Sequence, residues 1–269
     1  MQSVKRLPKQ EKSTIKTVRN IVIFALVFAI IIWSFTGIPF TGIKEQAGKI
    51  TASIFNGLIH PDLDYVWRGD GEDLISNLVA TIAMAFLGTS ISAIISVPFA
   101  FWAARSKYKH RFTSATGKIV LTFIRTFPEI VLALMFIKAV GPGAFAGVMA
   151  MGVHSIGMLA KLFSEAIENL DGGTDEAVIA SGGSKLNVMM FSTFPQVLPE
   201  FVSNTLYRFE LSIRAATTLG LVGAGGIGTP LVFALSTRAW SRVGIILIGI
   251  IVMVTLVDFV SGSIRKRLV

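Results

Sequence analysis

From Leu74 to Ala104 the chain runs without a single charged side chain. That stretch is longer than the roughly 20 apolar residues a helix needs to cross a bilayer, and its surplus implies tilt or surface-lying ends. Further apolar runs lie at Ile21 to Gly37, Ile119 to Val140, Gly143 to about Leu162, from near Phe201 onward, and Val243 to about Ile264. The expected fold class is an all-α integral membrane protein with six transmembrane helices. Composition agrees: 15% of residues are charged and the mean hydropathy is +0.68, whereas soluble domains are about 25% charged.

In a soluble chain a net charge of +9 would suggest a nucleic-acid partner. Here the basic residues cluster beside the spans, so their placement gives orientation and no nucleic acid is expected. Lys5, Arg6, Lys9, Lys12, Lys16 and Arg19 precede the first span, Arg105, Lys107, Lys109, Arg111 and Lys118 follow the second, and Arg265, Lys266 and Arg267 end the last. Both termini are therefore expected in the cytoplasm of a multi-pass cell-membrane protein. Residues 38–76 fall outside, with Lys44, Lys49 and Arg68 against the acids Asp62, Asp64, Asp70, Glu72 and Asp73. They read as a solvated loop or as part of a landing surface for a binding protein. The first run lacks a small-x-small cleavage signal and reads as a retained span.

There is no cysteine, and His60, His110 and His154 are scattered without metal-ligand spacing. No metal site is expected, no phosphate loop of the form GxxxxGK[ST] occurs, and no catalytic residue can be placed. Gly223, Gly225 and Gly228 formally match a dinucleotide fingerprint, but they follow a membrane helix with no βαβ unit around them. The glycines between Leu219 and Pro230 instead let backbone approach backbone where a helix bends.

Charges do lie within the spans. Arg125 and Glu129 sit one helical turn apart around Pro128, and Arg208, Glu210 and Arg214 share the fifth span. At such depth a charge costs a few kcal/mol unless paired or wet. Two readings stay open: i,i+4 pairs, Arg125 with Glu129 and Glu210 with Arg214, or residues lining a translocation path. His154 reads as hydrogen-bonded packing.

The segment Thr174 to Pro195 differs from the rest, a polar-edged stretch between two apolar spans. Thr174 can cap a short helix whose first turn holds Asp175 and Glu176, where the helix dipole favours acids. Gly182 and Gly183 end that helix, Ser184 can cap a second, and Pro195 disfavours helix just before it. This reads as a helix–turn–helix docking element, or as an ordinary amphipathic linker.

The order Glu176-Ala177, Gly182 and Pro195 resembles the cytoplasmic EAA loop of ATP-binding-cassette importer permeases, which seats in a cleft on the ATPase subunit. Val178, Ser192 and Phe194 depart from that pattern, where a second alanine, an isoleucine and a leucine are usual. The stretch Arg125 to Glu129 and the run Arg214 to Gly228 resemble the phosphonate-importer permeases, a type I subfamily, over about residues 74–264. The resemblance implies that Glu176, Ala177, Gly182 and Pro195 couple the chain to the ATPase. It also implies a second permease copy, two cytoplasmic ATPase subunits that bind ATP and Mg, an extracytoplasmic substrate-binding protein, and no cofactor in this chain. The domains expected are 1–73 (tail, anchoring helix and outer segment), 74–264 (permease core) and 265–269 (cytoplasmic tail). Arg125, Glu129, Arg208, Glu210 and Arg214 become path candidates for a phosphorus oxyanion such as phosphonate, phosphate or phosphite. A methionine-type importer, a secondary transporter and a membrane enzyme using Arg125, Glu129, Arg208 and Glu210 are the alternatives.

Overall fold

A computed structural model describes residues 14–37, 47–69, 71–105 and 111–268. The tail residues Lys5, Arg6, Lys9 and Lys12, together with Lys44, Asp70, Lys107, Lys109 and His110, lie outside them. Every regular element among the described residues is helical.

The chain divides into two units, residues 1–52 and 53–269. The first contains α1 (Thr14–Thr36), an apolar helix of spanning length, and the beginning of α2 (Ala47–Ile59). The second holds the remainder of α2 and all later elements. Its long helices are α3 (Leu74–Ala103), α6 (Ala144–Glu168), α9 (Phe194–Gly220) and α11 (Trp240–Leu268).

Among the described residues four helices, α1, α3, α6 and α11, are long and apolar enough to cross a membrane. The expected third span is not one rod. It is α4 (Arg111–Thr126) and α5 (Glu129–Val140), bent by 76° at Phe127-Pro128. Proline has no N–H to give the preceding turn, and its ring pushes the residue before it out of the helical region. The fifth expected span is α9, 27 residues long, whose charged residues keep it from reading as purely apolar.

The start of α3 shows how local sequence sets an element. Asp73 is buried and caps the helix, accepting the Ser76 amide at 2.8 Å and the Arg68 and Gly69 amides at 3.2 Å each. Hydrogen bonds from Ser76, side chain and then backbone, with those of Gly69 and Arg68, pull its carboxyl down to about 2. Residues 53–69 are not a free loop. Tyr65 is buried against α11 residues Val243 and Ile246, and the Arg242 guanidinium lies 4.9 Å from its ring centroid. Asp62 sits between Arg68 at 4.0 Å and Arg242 at 3.7 Å.

The core forms where α3 crosses α6, with Met84, Ala85, Ala150 and Met151 buried. Small residues permit that close crossing: Gly88 of α3 lies against Met151 and Gly152 of α6. Gly147 and Gly157, also buried on α6, meet other neighbours, Gly147 against Met84 and Ala224 and Gly157 against Arg125 of α4. The small-residue face of α6 is therefore used up inside one chain. Lower down, Phe163 of α6 and Phe201 of α9 stack at 4.0 Å with an 11° tilt.

The glycine run does not bend a helix; it ends one. α9 stops at Gly220, a turn follows, and the short helix α10 (Gly228–Ser236), which no periodicity announced, leads on to α11. The turn is wedged against the start of α6. Gly225 has φ +85°, and a Cβ there would stand 2.7 Å from the Ala144 amide nitrogen, so neither the conformation nor the space admits a side chain. The Ile227 amide donates to the buried Thr81 hydroxyl of α3 at 2.9 Å.

Candidate functional site

The segment that the sequence reads as a docking element leaves the end of α6. Helix α7 (Gly173–Ala180) follows, with Asp175 and Glu176 in its first turn and no buried residue. It ends at Ser181, and Gly182 then takes φ +85°, the left-handed geometry that glycine adopts without cost after a helix. Ser184 caps the three-residue α8 (Lys185–Asn187), accepting the Asn187 amide at 3.3 Å. Glu176, Ala177, Gly182 and Pro195 are all exposed.

Two sequence expectations change here. Thr174 does not cap α7, which begins one residue earlier. Its hydroxyl lies 2.9 Å from Ser192 Oγ and accepts Gln196 Nε2 at 2.6 Å. Nor does Pro195 interrupt the helix: Val188–Thr193 form a π-helical turn that runs into α9, and Pro195 falls in the first turn of α9. The wider turn accommodates a residue that brings no N–H.

Ser192 is buried and donates to Asp175 Oδ1 at 2.6 Å. With Thr174 and Gln196 it forms a polar clasp that fastens the front of α7 to the base of α9, which gives a role to the position where the sequence departs from the EAA pattern. Sequence reasoning missed a second feature, the apolar side chains left exposed beside α7: Leu186 at 68%, Met190 at 61% and Phe191 at 76%. Their signal was three apolar residues at i, i+4 and i+5 after the Ser184 cap. The stem is tied as well. Glu168, at the end of α6, accepts the Arg105 amide at 2.8 Å and pairs with Lys118 of α4 at 2.7 Å.

The intramembrane charges pair between helices, not along them. Because the chain breaks at Pro128, Arg125 and Glu129 never share one helix and no i,i+4 bridge forms. Glu129, first residue of α5, instead meets Arg208 of α9 at 3.5 Å, both largely buried. Arg208 Nε also donates to Ser155 of α6 at 2.7 Å. Glu210 pairs with Arg265 at 2.8 Å and Arg214 with Asp258 at 2.6 Å, both partners on α11, so the expected Glu210–Arg214 bridge is replaced as well. His154 Nδ1 lies 3.2 Å from the Phe127 carbonyl, the packing role expected. Arg125 stands apart: among the described residues it has no carboxylate partner, and it lines a cavity of about 130 Å³ between α4 and α6. No group of His, Asp or Glu among the described residues could hold a metal ion.

Comparison with known proteins agrees with this geometry. The family described as binding-protein-dependent transport system inner membrane component matches residues 96–269. The phosphite transport system permease protein PtxC of Stutzerimonas stutzeri is 42% identical over 193 residues, 72% of this chain and 70% of that one. The phosphate-import permease protein PhnE of Mycolicibacterium smegmatis is 36% identical over 88% of this chain, which spans 43% of that longer protein. Among solved structures, the MetNI methionine transporter in an inward-facing conformation superposes with a TM-score of 0.64 at 20% identity, over 73% of this chain and 96% of that one. At that identity the likeness is one of fold.

Proposed function

This chain belongs to the family of binding-protein-dependent transport system inner membrane components, and we propose that it moves a phosphorus oxyanion, most readily a phosphonate, with phosphite and phosphate as near alternatives, into the cytoplasm. It is a multi-pass membrane permease of an ATP-driven importer and not itself an enzyme. The observation that carries the phosphorus-oxyanion class is the 42% identity to a phosphite permease over 72% of the chain.

The family implies ATPase and binding-protein partners. The exposed row Glu176, Ala177 and Gly182, flanked by exposed Leu186, Met190 and Phe191, suits the ATPase contact. ATP and Mg would be bound by that partner and no cofactor by this chain. Both termini and the docking segment then face the cytoplasm, which agrees with the basic residues around Arg105–Lys118 and Arg265–Arg267. A second copy of this chain completes the path, with residues 74–264 as the transport core. Its contact would use faces other than the small residues of α6, which are already buried within one chain.

Uptake by the reconstituted complex with its own binding protein tests the cargo. Phosphonate, phosphite or phosphate should accumulate with ATP; transport of methionine with all three ignored would overturn the reading. The cysteine-free sequence allows the second copy to be tested by cross-linking single cysteines at exposed α5 positions such as Ile130 and Leu134. A functional complex that never yields a dimer there or on any other exposed span would refute pairing.

A further inference from the structure

The three arginines expected along the path are not equivalent. Arg208 and Arg214 each face a carboxylate of the same chain, whereas Arg125 has none among the described residues. α4 runs antiparallel to α6: Lys118 meets Glu168 at the end of α6, and a Cβ on Gly157 would lie 3.1 Å from the Arg125 amide. From Glu168 back to Gly157 the helix rises about 16 Å at ~1.5 Å per residue. Lys161 and Glu165 lie on that stretch, so Arg125 stands about 6 Å, at ~1.5 Å per residue, beyond the last charged side chain of α6. An exposed guanidinium at this depth, with Ile119 and Phe123 exposed on the same helix, is costly unless an anion or water accompanies it.

The cavity beside it holds more positive charge than negative. Lys118, Arg125 and Lys161 line it, Glu165 is the one carboxylate of the lining, and Glu168 beyond the lining pairs with Lys118 at 2.7 Å, which leaves Arg125 as the excess positive charge. Glu165 pairs with Lys161 at 3.4 Å with both side chains about half exposed, a contact of the kind worth less than ~1 kcal/mol. The Thr122 and Ser164 hydroxyls donate to the Lys118 and Lys161 carbonyls at 2.8 Å each, so recognition falls to the cations. At about 130 Å³ the cavity exceeds by far the ~10–15 Å³ that admits one water, which leaves room for a small tetrahedral anion.

We propose that the α4–α6 cavity is a binding site for a tetrahedral phosphorus oxyanion, held by Arg125 and Lys161 with Lys118 at its cytoplasmic end. Guanidinium and ammonium groups give such an oxyanion charge-assisted hydrogen bonds. The same chemistry can arrive as free cargo or as the headgroup of an inner-leaflet phospholipid. The free-cargo source rests on the transport function proposed above; the charge of the cavity does not.

The test uses the full complex in nanodiscs. In phosphatidylcholine discs, inorganic phosphate and methylphosphonate are titrated by ³¹P NMR against wild type, R125Q and K161Q. In discs containing phosphatidylglycerol, native mass spectrometry counts retained anionic lipid in the same three proteins. Free anion bound in phosphatidylcholine and weakened at least about tenfold in either variant supports the site with cargo as its source. Phosphatidylglycerol retention lost in R125Q and K161Q supports it with lipid as its source. Neither free anion nor anionic lipid responding to the substitutions overturns the proposal, even if ATP-driven phosphonate uptake by wild type stands. Unchanged melting temperatures of the variants exclude misfolding as the cause, and K161R, which keeps the charge, should retain binding.

Discussion

Arg208 of α9 meets Glu129 of α5 at 3.5 Å inside the helix bundle, linking a helix that starts at the docking segment to the helix that starts at the Pro128 bend. The guanidinium makes one long contact to Glu129 and one short bond to Ser155, while Glu129 Oε1 has no hydrogen-bond partner among the described residues. The pair is thus under-satisfied, and removing one member strands the other.

Glu129→Gln should therefore lower stability by about 3–5 kcal/mol, the scale of a buried charge left unpaired. Replacing both members, as in Glu129→Gln with Arg208→Met, should recover much of that loss. Thermal unfolding of single and double variants in detergent or nanodiscs checks it; additive losses would contradict the pairing.

Gly182 has φ +85° and open space where a Cβ would stand, so its requirement is conformational and not steric. Gly182→Ala should cost about 1–2 kcal/mol locally, whereas the bulky Gly182→Trp should also block a partner surface. Membrane insertion should persist in both, with ATPase association weakened more in Gly182→Trp. Co-purification with the ATPase measures this, and equal association of the two variants would argue against the docking assignment.

Ser192 holds Asp175 and Thr174 through its hydroxyl. Ser192→Ala removes these bonds at about 1 kcal/mol each and should loosen α7 without unfolding the spans. Faster amide hydrogen exchange over Gly173–Ala180, together with reduced coupling of ATP hydrolysis to uptake, is the expected result. Exchange unchanged over that helix would show the clasp to be dispensable.

Asp73 has its carboxyl pulled from 3.8 down to about 2 by the Ser76, Gly69 and Arg68 hydrogen bonds. Because the folded value is the lower, this contribution to stability is complete above 3.8 and is lost as pH falls toward about 2. Proteolysis near Arg68 should accelerate over that window in the wild type. Asp73→Asn, which cannot titrate, should show no such step.

The apolar run from Leu74 to Ala104 and its counterparts fixed the membrane class, and the spacing of Glu176, Gly182 and Pro195 marked the segment proposed for docking. Both are local signals: apolar length, helix stop and cap are written within a few residues of where they act. The Ser184 cap and the Gly182 stop were legible for the same reason. What the helices do to one another was not. Helical geometry brings i,i+4 neighbours together, so the sequence suggested Arg125–Glu129 and Glu210–Arg214. The actual partners lie 79, 55 and 44 residues apart, Arg208 with Glu129, Arg265 with Glu210 and Arg214 with Asp258. Only the crossing register of α5, α9 and α11 could select them, because each charge is held by whichever opposite charge the helix packing sets beside it. The same register decided that Ser192 would clasp Thr174 and Asp175, and that Arg125, past the break at Pro128, would be left facing a basic cavity.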